Sequence, residues 1–238
     1  MRWKWVLIVI AVAVVVAAVV GVIVVLSSRD DNAHWAGAVA TGGPFSSVSA
    51  TWVQPAIMTP VKPGSESSFW VGLDGYNSGD ALEQLGTQVI VGSDGTVRYS
   101  AWWEMYPKGT VTIPDFPVKP GDVITASVTN HGDGRFTLAM ENKTTGKRFS
   151  TVQRNGVSQS RTSEIVVEQP YDRDGDKITL DSFAVCEPVL FTDCAVDGKP
   201  IAAVSPKWLV ITGEDGVVLA KPSAPEDGGA AFTVSRPE

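Results

Sequence analysis

Two cysteines and two histidines in 238 residues leave little material for several kinds of catalysis. His34 follows an apolar N-terminal run and His131 sits in the turn-like "NHGDG". Without a Gly-x-Ser-x-Gly elbow, a serine triad lacks both its base and its nucleophile setting. HExxH is absent and neither cysteine has a histidine at hand, so zinc and thiol peptidase chemistry lack their parts too. "YDRDGDK" spaces Asp172, Asp174 and Asp176 like the start of a calcium loop, but the twelfth position is Phe183 where that loop needs a glutamate; it reads as an acidic turn. Positive charge is scarce. Setting aside Arg2 and Lys4 leaves 17 of the 19 basic residues against 26 acids, a net charge near minus 9. No basic stripe exists to neutralise phosphates, which argues against nucleic acid as a partner. An acidic surface of this kind suits life at low pH, where many carboxylates lose their charge.

Amphipathic helices are missing as well. The one long apolar run, Val6 to Leu26, has no interruption and, at about 1.5 Å per residue, is long enough to cross a bilayer core of about 30 Å as a helix. Arg2 and Lys4 before it and Arg29, Asp30 and Asp31 after it favour an N-terminus inside and an exported remainder. Residues 1–28 are therefore expected to be a membrane anchor, with a cleaved signal peptide ending near Leu26-Ser27 as the competing reading. Residues 29–34 would be a short linker and 35–238 one domain, with no room for a propeptide between anchor and domain. In an exported domain Cys186 and Cys194, in "CEPVLFTDC", are candidates for a disulfide, worth roughly 2 to 3 kcal/mol in the chain-entropy view, with two buried free thiols as the alternative.

What is abundant is turn chemistry and β-branched residues. From Trp35 onward short runs such as "SSFWVGLDG", "TQVIVGSDGTVRYSAWWEMYP", "GDVITASVTNHGDG" and "KWLVITGEDGVVLAK" are closed by Gly, Asp and Pro. Ser93-Asp94-Gly95, His131 to Gly134, Thr144 to Gly146 and Glu214-Asp215-Gly216 mark hairpins at short spacing. This pattern predicts an all-β, antiparallel sandwich. Asn142-Lys143-Thr144 also fits an N-glycosylation acceptor.

Two-residue alternation then sorts the acids. In "YSAWWEMYP" Tyr99, Ala101, Trp103 and Met105 face one way and Ser100, Trp102, Glu104 and Tyr106 the other. In "SFWVGLDG" Val71 and Leu73 oppose Trp70, Gly72 and Asp74. In "SEIVVEQP" Ile165 and Val167 oppose Glu164, Val166 and Glu168. Each acid alone fits an ordinary half-exposed strand. Three such strands presenting acids among Trp70, Trp102 and Tyr106 describe a concave ligand cleft.

These stretches resemble the glutamic peptidases, or eqolisins. "HWAGAVATGGPFSSVSATWVQP" is similar to the opening Trp-x-Gly segment of that family. "FWVGLDGYNSGDALEQLG" is similar to its Trp-Val-Gly-Ile-Asp-Gly and Ala-Ile-Leu-Gln-Thr-Gly, and "YSAWWEMYP" to its Ala-Trp-Tyr-Glu-Trp-Tyr-Pro. The resemblance covers most of residues 35–234. It implies a concanavalin- or jelly-roll-like sandwich of two curved sheets and an acid endopeptidase, with no metal or cofactor. It implies Gln84 and Glu164 as the catalytic pair, with Trp70, Asp74, Glu104, Tyr106 and Trp102 lining or supporting the cleft. Glu168, on the same face as Glu164, is the rival glutamate, because relatives usually carry Ala-Glu-Trp-Ile where this chain has Ser163-Glu164-Ile165-Val166.

In such a pair a carboxylate moves the protons of a water, while an amide supplies donors to the developing oxyanion. Glu104 would orient Gln84 by a hydrogen bond, and desolvation with like charge should keep part of the cluster protonated. Activity in acid and loss near neutrality follow. The expected partner is a polypeptide substrate, the membrane is met through residues 6–26, and a monomer is expected. The alternative function is a catalytically inactive sandwich that binds carbohydrate or peptide in the aromatic cleft.

Overall fold

Short runs of Val, Ile and Thr between glycine- and aspartate-bearing turns can hide their apolar sides only by stacking sheet on sheet. The computed structural model describes residues 31–32, 34–77, 80–174, 177–180, 182–213 and 216–237. Its strands begin with β1 (Asp31–Asn32), β2 (Trp35–Thr41), β3 (Ser47–Val53), β4 (Ser65–Leu73), β5 (Leu82–Val91), β6 (Val97–Tyr106) and β7 (Lys108–Thr112). Next come β8 (Val123–Asn130), β9 (Arg135–Asn142), β10 (Lys147–Arg154), β11 (Thr162–Glu168), and the small hairpin of β12 (Tyr171–Asp174) and β13 (Lys177–Leu180). The chain closes with β14 (Ser182–Phe183), β15 (Val189–Val196), β16 (Lys199–Pro200), β17 (Lys207–Thr212), β18 (Val218–Pro222) and β19 (Phe232–Ser235). Helix among the described residues is confined to two short 3-10 turns, Ile201–Val204 and Asp227–Gly229. No helix among them is long and apolar enough to cross a membrane, and the run 6–26 lies outside the described residues.

One sheet, the front, runs in the order β17–β2–β11–β4–β5–β6–β7, each neighbouring pair antiparallel. The back sheet runs β18–β19–β15–β3–β8–β9–β10, again antiparallel throughout. The β17–β18 hairpin joins the two. Every hairpin expected from the turn signals is present: β5–β6, β8–β9, β9–β10 and β17–β18.

Between the sheets lies the main core. The front sheet sends in Phe69, Val71, Leu73, Leu85, Val89, Ala101, Met105, Ile165 and Val167; the back sheet answers with residues such as Trp52, Ile124, Leu138 and Phe191. Trp52 Nε1 donates to Thr87 Oγ1 at 3.1 Å, so even the polar atom of the largest core ring is paired, across the gap between sheets. The predicted alternation holds on β4, β6 and β11. Its other phase forms a separate apolar cluster of Val39, Trp70, Trp102, Val166 and Leu209 on the outer face of the front sheet. The strands β4, β5 and β11 are thus buried on both faces, which positions the site.

Two expectations are corrected. Cys186 and Cys194 are free thiols, not a disulfide. Cys186 forms an isolated bridge with Ile57, while Cys194 lies inside β15 and faces the core. The two thiols also have separate hydrogen-bond partners, Cys186 Sγ the Ala184 carbonyl at 3.5 Å and Cys194 Sγ the Thr192 carbonyl at 3.7 Å. Burial pushes the Cys186 thiol up to about 12 and raises Cys194 as well. Asn142 is no glycan acceptor either, because it is fully buried and its Nδ2 donates to Asp122 Oδ2 at 2.9 Å and to the Pro117 carbonyl at 3.1 Å. Thiol titration of the unfolded, unreduced chain should therefore find two reactive groups, and the folded chain should protect Cys194; a count of zero after unfolding would restore the disulfide.

Candidate active site

A register row crosses the centre of the front sheet. Glu164 of β11 pairs with Gly72 of β4, Gly72 with Gln84 of β5, and Gln84 with Glu104 of β6. Directly opposed residues of antiparallel strands point to the same face, so the three polar side chains project together on the outer side. Glu164 and Gln84 stand two strand spacings apart, about 9.5 Å between backbones, with a glycine between them. A Cβ at Gly72 would come within 2.9 Å of Trp70 Cζ3 and 3.0 Å of Leu82 Cδ1, so these apolar groups rest directly on its backbone.

The row is polar but enclosed. Glu164 is 0% exposed and Gln84 6%. Gln84 Nε2 donates to Glu104 Oε2 at 2.6 Å, which turns the amide oxygen away from Glu104. That oxygen and both carboxyl oxygens of Glu164 are buried and complete no hydrogen bond within the chain. Desolvation therefore dominates at Glu164 and raises its carboxyl well above the ordinary 4.5. The Thr162 hydroxyl and Tyr76 backbone oppose that rise without reaching hydrogen-bonding geometry, and the charges of Asp74 and Glu83 add to it. Burial raises Glu104 too, against the opposing bond from Gln84.

The next rows build the aromatic wall. Val166, Trp70, Gly86 and Trp102 oppose one another, and a Cβ at Gly86 would strike the Phe69 carbonyl oxygen and, at 2.5 Å, Trp70 Cβ, so glycine is required for β5 to lie this close to β4. Glu168 is in the row of Ser68 and Gln88, and its two oxygens accept from Trp35 Nε1 at 3.0 Å and Trp70 Nε1 at 2.8 Å. The two indoles meet edge to face at 5.1 Å. Burial pushes the Glu168 carboxyl up to about 7 despite both indole donors.

Two cavities open on this face. The smaller, about 300 Å³, is lined by residues including Gln84, Glu104, Trp102, Tyr106 and Glu168. The larger, about 730 Å³, includes Asp74, Tyr76, Arg161 and Thr162. Glu164 lines neither; its row partner Gln84 borders one and Thr162, two residues before it on β11, borders the other. Asp74 leaves the strand geometry, with φ at 64°, and all its acceptor capacity goes to the segment 158–161 that leads into β11. Among the residues singled out from sequence, Trp70, Trp102, Tyr106, Gln84 and Glu104 share the face with Glu164, whereas Asp74 serves a neighbouring loop. Cys186 and Cys194 lie away from it. Among the described residues no acid, histidine and cysteine cluster could hold a metal ion.

Sequence reading missed Glu83, Ser158 and Asn155, which are bonded to one another behind the row. The available signal was Glu83 itself. It stands where the resembled motif carries an apolar residue, at a strand position that alternation aims into the core, where an acid costs several kcal/mol unless it is bonded or neutral.

Comparison with known proteins agrees with this architecture. The model of the Peptidase A4 family matches residues 33–231. Scytalidopepsin B of Scytalidium lignicola is 34% identical over 179 residues, 71% of this chain and 66% of that protein. The crystal structure of scytalido-glutamic peptidase with a transition state analog inhibitor superposes with a TM-score of 0.75 at 26% identity, covering 86% of this chain and 98% of the other. That of aspergilloglutamic peptidase from Aspergillus niger gives 0.60 at 28% identity, covering 72% and 99%. By class, the fold is that of a β-sandwich peptide-bond hydrolase. The chain belongs to the Peptidase A4 family of glutamic peptidases.

The Glu168 contacts give a first test of the wall. An amide offers one acceptor oxygen where the carboxyl group uses two, so Glu168→Gln should leave one buried indole N–H unpaired and cost about 1–3 kcal/mol. Because the folded carboxyl holds its proton up to about 7 and a free one only to 4.5, the stability tied to that proton is complete below about pH 4.5 and is lost as pH rises to about 7. Tryptophan emission of the parent should titrate with a midpoint near 7, and the variant should lack that step.

Proposed function

We propose that this protein is an acid endopeptidase in which Glu164 moves the protons of the attacking water and Gln84 stabilises the charge that develops on the scissile carbonyl. One observation carries the reading. Glu164 and Gln84 flank Gly72 in a single row, and the Gln84 amide oxygen and both Glu164 oxygens are buried without partners there, next to the equally unpartnered Thr162 hydroxyl. Buried polar atoms are nearly always satisfied, so orphaned ones in a cleft are matched to something that enters it. A water and a peptide carbonyl supply the complementary donors and acceptor.

In the chemistry that follows, Glu164 takes a proton from the water as its oxygen bonds to the carbonyl carbon. The second N–H of Gln84 Nε2, the first being held by Glu104, meets the oxyanion. Glu164 then returns the proton to the departing amine nitrogen as the C–N bond breaks. A carboxyl group whose proton affinity is raised by burial is a stronger base when ionised and a ready carrier afterwards. Glu168 is the weaker candidate for this role, since both of its oxygens are already held by indoles and it lies four residues along β11, in the row of Gln88. Trp102 and Tyr106 line the smaller cavity and offer ring surface to substrate side chains, while the fully buried Trp70 backs that wall and excludes water.

Incubation of the full chain with a denatured protein at about pH 2 to 5, with pepstatin present to silence aspartic peptidases, should give cleavage by the molecules in which Glu164 is ionised, fading towards neutrality as the neighbouring Glu104 and Glu168 lose their protons. Gln84→Ala and Glu164→Gln should each lower kcat by about 10²- to 10⁴-fold. Absence of cleavage across that range, or unchanged rates in both variants, would remove the reading in favour of a binding sandwich. We further place the domain outside the cytoplasm, tethered through residues 6–26 with the N-terminus inside, or secreted if that segment is cut. Recovery of the intact chain in the membrane fraction separates the first case from the second, and recovery in the cytosol contradicts both.

A further inference from the structure

Position 83 alternates with Gln84 and so faces the space between the sheets, opposed by Leu73 on β4 and Met105 on β6. Glu83 is 0% exposed, and neither of the ion pairs among the described residues involves it. Its contacts all come from the loop that leads into β11. Asn155 Nδ2 donates to Oε1 at 2.7 Å, and Ser158 Oγ lies 2.8 Å from Oε2. The same Ser158 Oγ is 2.7 Å from Asp74 Oδ2. Asp74 Oδ2 also accepts the backbone N–H groups of Gln159 at 2.8 Å and Ser160 at 2.7 Å, and Oδ1 accepts that of Arg161 at 2.6 Å.

These contacts can be satisfied in one way only, by counting protons. Ser158 carries a single hydroxyl proton yet makes two short oxygen–oxygen contacts, each with a carboxyl group, so one contact must be closed by a carboxyl proton. Asp74 cannot supply it, because both of its oxygens already face N–H donors. Glu83 can: its Oε1 accepts from Asn155, and its Oε2 is free to carry hydrogen. We infer that Glu83 is a neutral acid at the head of a buried chain, Glu83 Oε2–H to Ser158 Oγ–H to Asp74 Oδ2, and that this chain is a positioning device that holds loop 155–161 and the start of β11 against β4 and β5.

Electrostatics supports the assignment. Burial, with a further push from the charge of Asp74, raises the Glu83 carboxyl to about 7. The titratable group facing it is Asp74 at the end of β4, and on the other side of the sheet the charges of Asp74 and Glu83 both raise Glu164 of β11. β6 contributes only the Tyr106 carbonyl, 3.4 Å from Asn155 Nδ2, and the β8–β9 turn only the Gly134 carbonyl, 3.0 Å from Asn155 N. Among the described residues no cation pairs with Glu83 or Asp74 to offset a second negative charge. When Glu83 ionises, two carboxylates compete for one hydroxyl proton, and one of the contacts that dock the loop becomes repulsive. Thr162, which lines the larger cavity, and Glu164 follow that loop directly. The consequence for catalysis rests on the peptidase reading above; the consequence for stability does not.

The sign of the effect is fixed by the raised carboxyl: its stabilisation is complete below about 4.5 and is lost as pH rises through about 7. Glu83→Gln keeps the shape, since the amide N–H donates to Ser158 and its oxygen accepts from Asn155, but it cannot lose a proton. Chemical unfolding of the full chain and of this variant should give similar stability near pH 4. Between about pH 5 and 6.5 the parent's unfolding constant should rise about tenfold more per pH unit than the variant's, one linked proton. Ser158→Ala should destabilise more at pH 4 than at pH 8, because the chain exists only while the proton is present. Under the peptidase reading, the decline of kcat/KM towards neutrality should also shift upward in Glu83→Gln. Parallel stability–pH profiles for parent and Glu83→Gln, or an equal loss at both pH values in Ser158→Ala, would overturn the inference whatever the activity. Diverging profiles in a protein that cleaves nothing would leave it standing and remove the peptidase reading alone.

Discussion

The hydrogen-bond register of β11, β4, β5 and β6 is the constraint on which the site depends. Glu164, Gly72, Gln84 and Glu104 stand in one row only while each of three antiparallel pairings keeps its alignment. A slip of one residue in any of them would send one of the polar side chains to the opposite face and bring a core residue such as Ile165 or Leu85 outward. The packing guards against this. Core residues on the inner face and tryptophans on the outer face penalise a slip from both sides, and Gly72 and Gly86 admit Trp70 in one alignment.

That double burial is also what gives the acids their chemistry. A half-exposed sheet would leave Glu104, Glu164 and Glu168 as ordinary carboxylates. Here an aromatic layer covers the outer face, so desolvation raises all three. Differences among them come from partners: Glu168 spends both oxygens on indoles, Glu104 spends one on Gln84, and Glu164 spends none. One face thereby holds an acid tied to two indoles, an acid bonded to an amide and an acid with neither oxygen partnered. Behind the same strands Glu83 and Asp74 share a serine hydroxyl, so the sheet carries buried acids on both sides and few cations to offset them.

Much of the fold was legible beforehand. The hairpins, the all-β class and the phase of alternation on β4, β6 and β11 follow from turn chemistry and period-two patterning, which are local properties of the chain. Glu104, Trp70 and Trp102 were picked out by the same pattern and Gln84 by the family resemblance alone, and they appear together on one face. The misses have one cause. The cysteine spacing suggested closure, but only the pairing of β15 with β3 and β19 places Cys194 within a strand whose side chain enters the core, while Cys186 stays outside that strand. Asn142 looked like an exposed acceptor until Asp122 and Pro117 closed over it.

Local sequence was enough for the strands, their inward and outward faces and the kinds of side chain offered to the cleft, because alternation needs only the next residue but one. It was silent on which carboxyl keeps its proton, which acid is tied to a tryptophan and which to a loop, and whether two residues eighty positions apart share a row. Those are properties of burial and of non-local pairing, and both come into being only when distant strands are brought side by side.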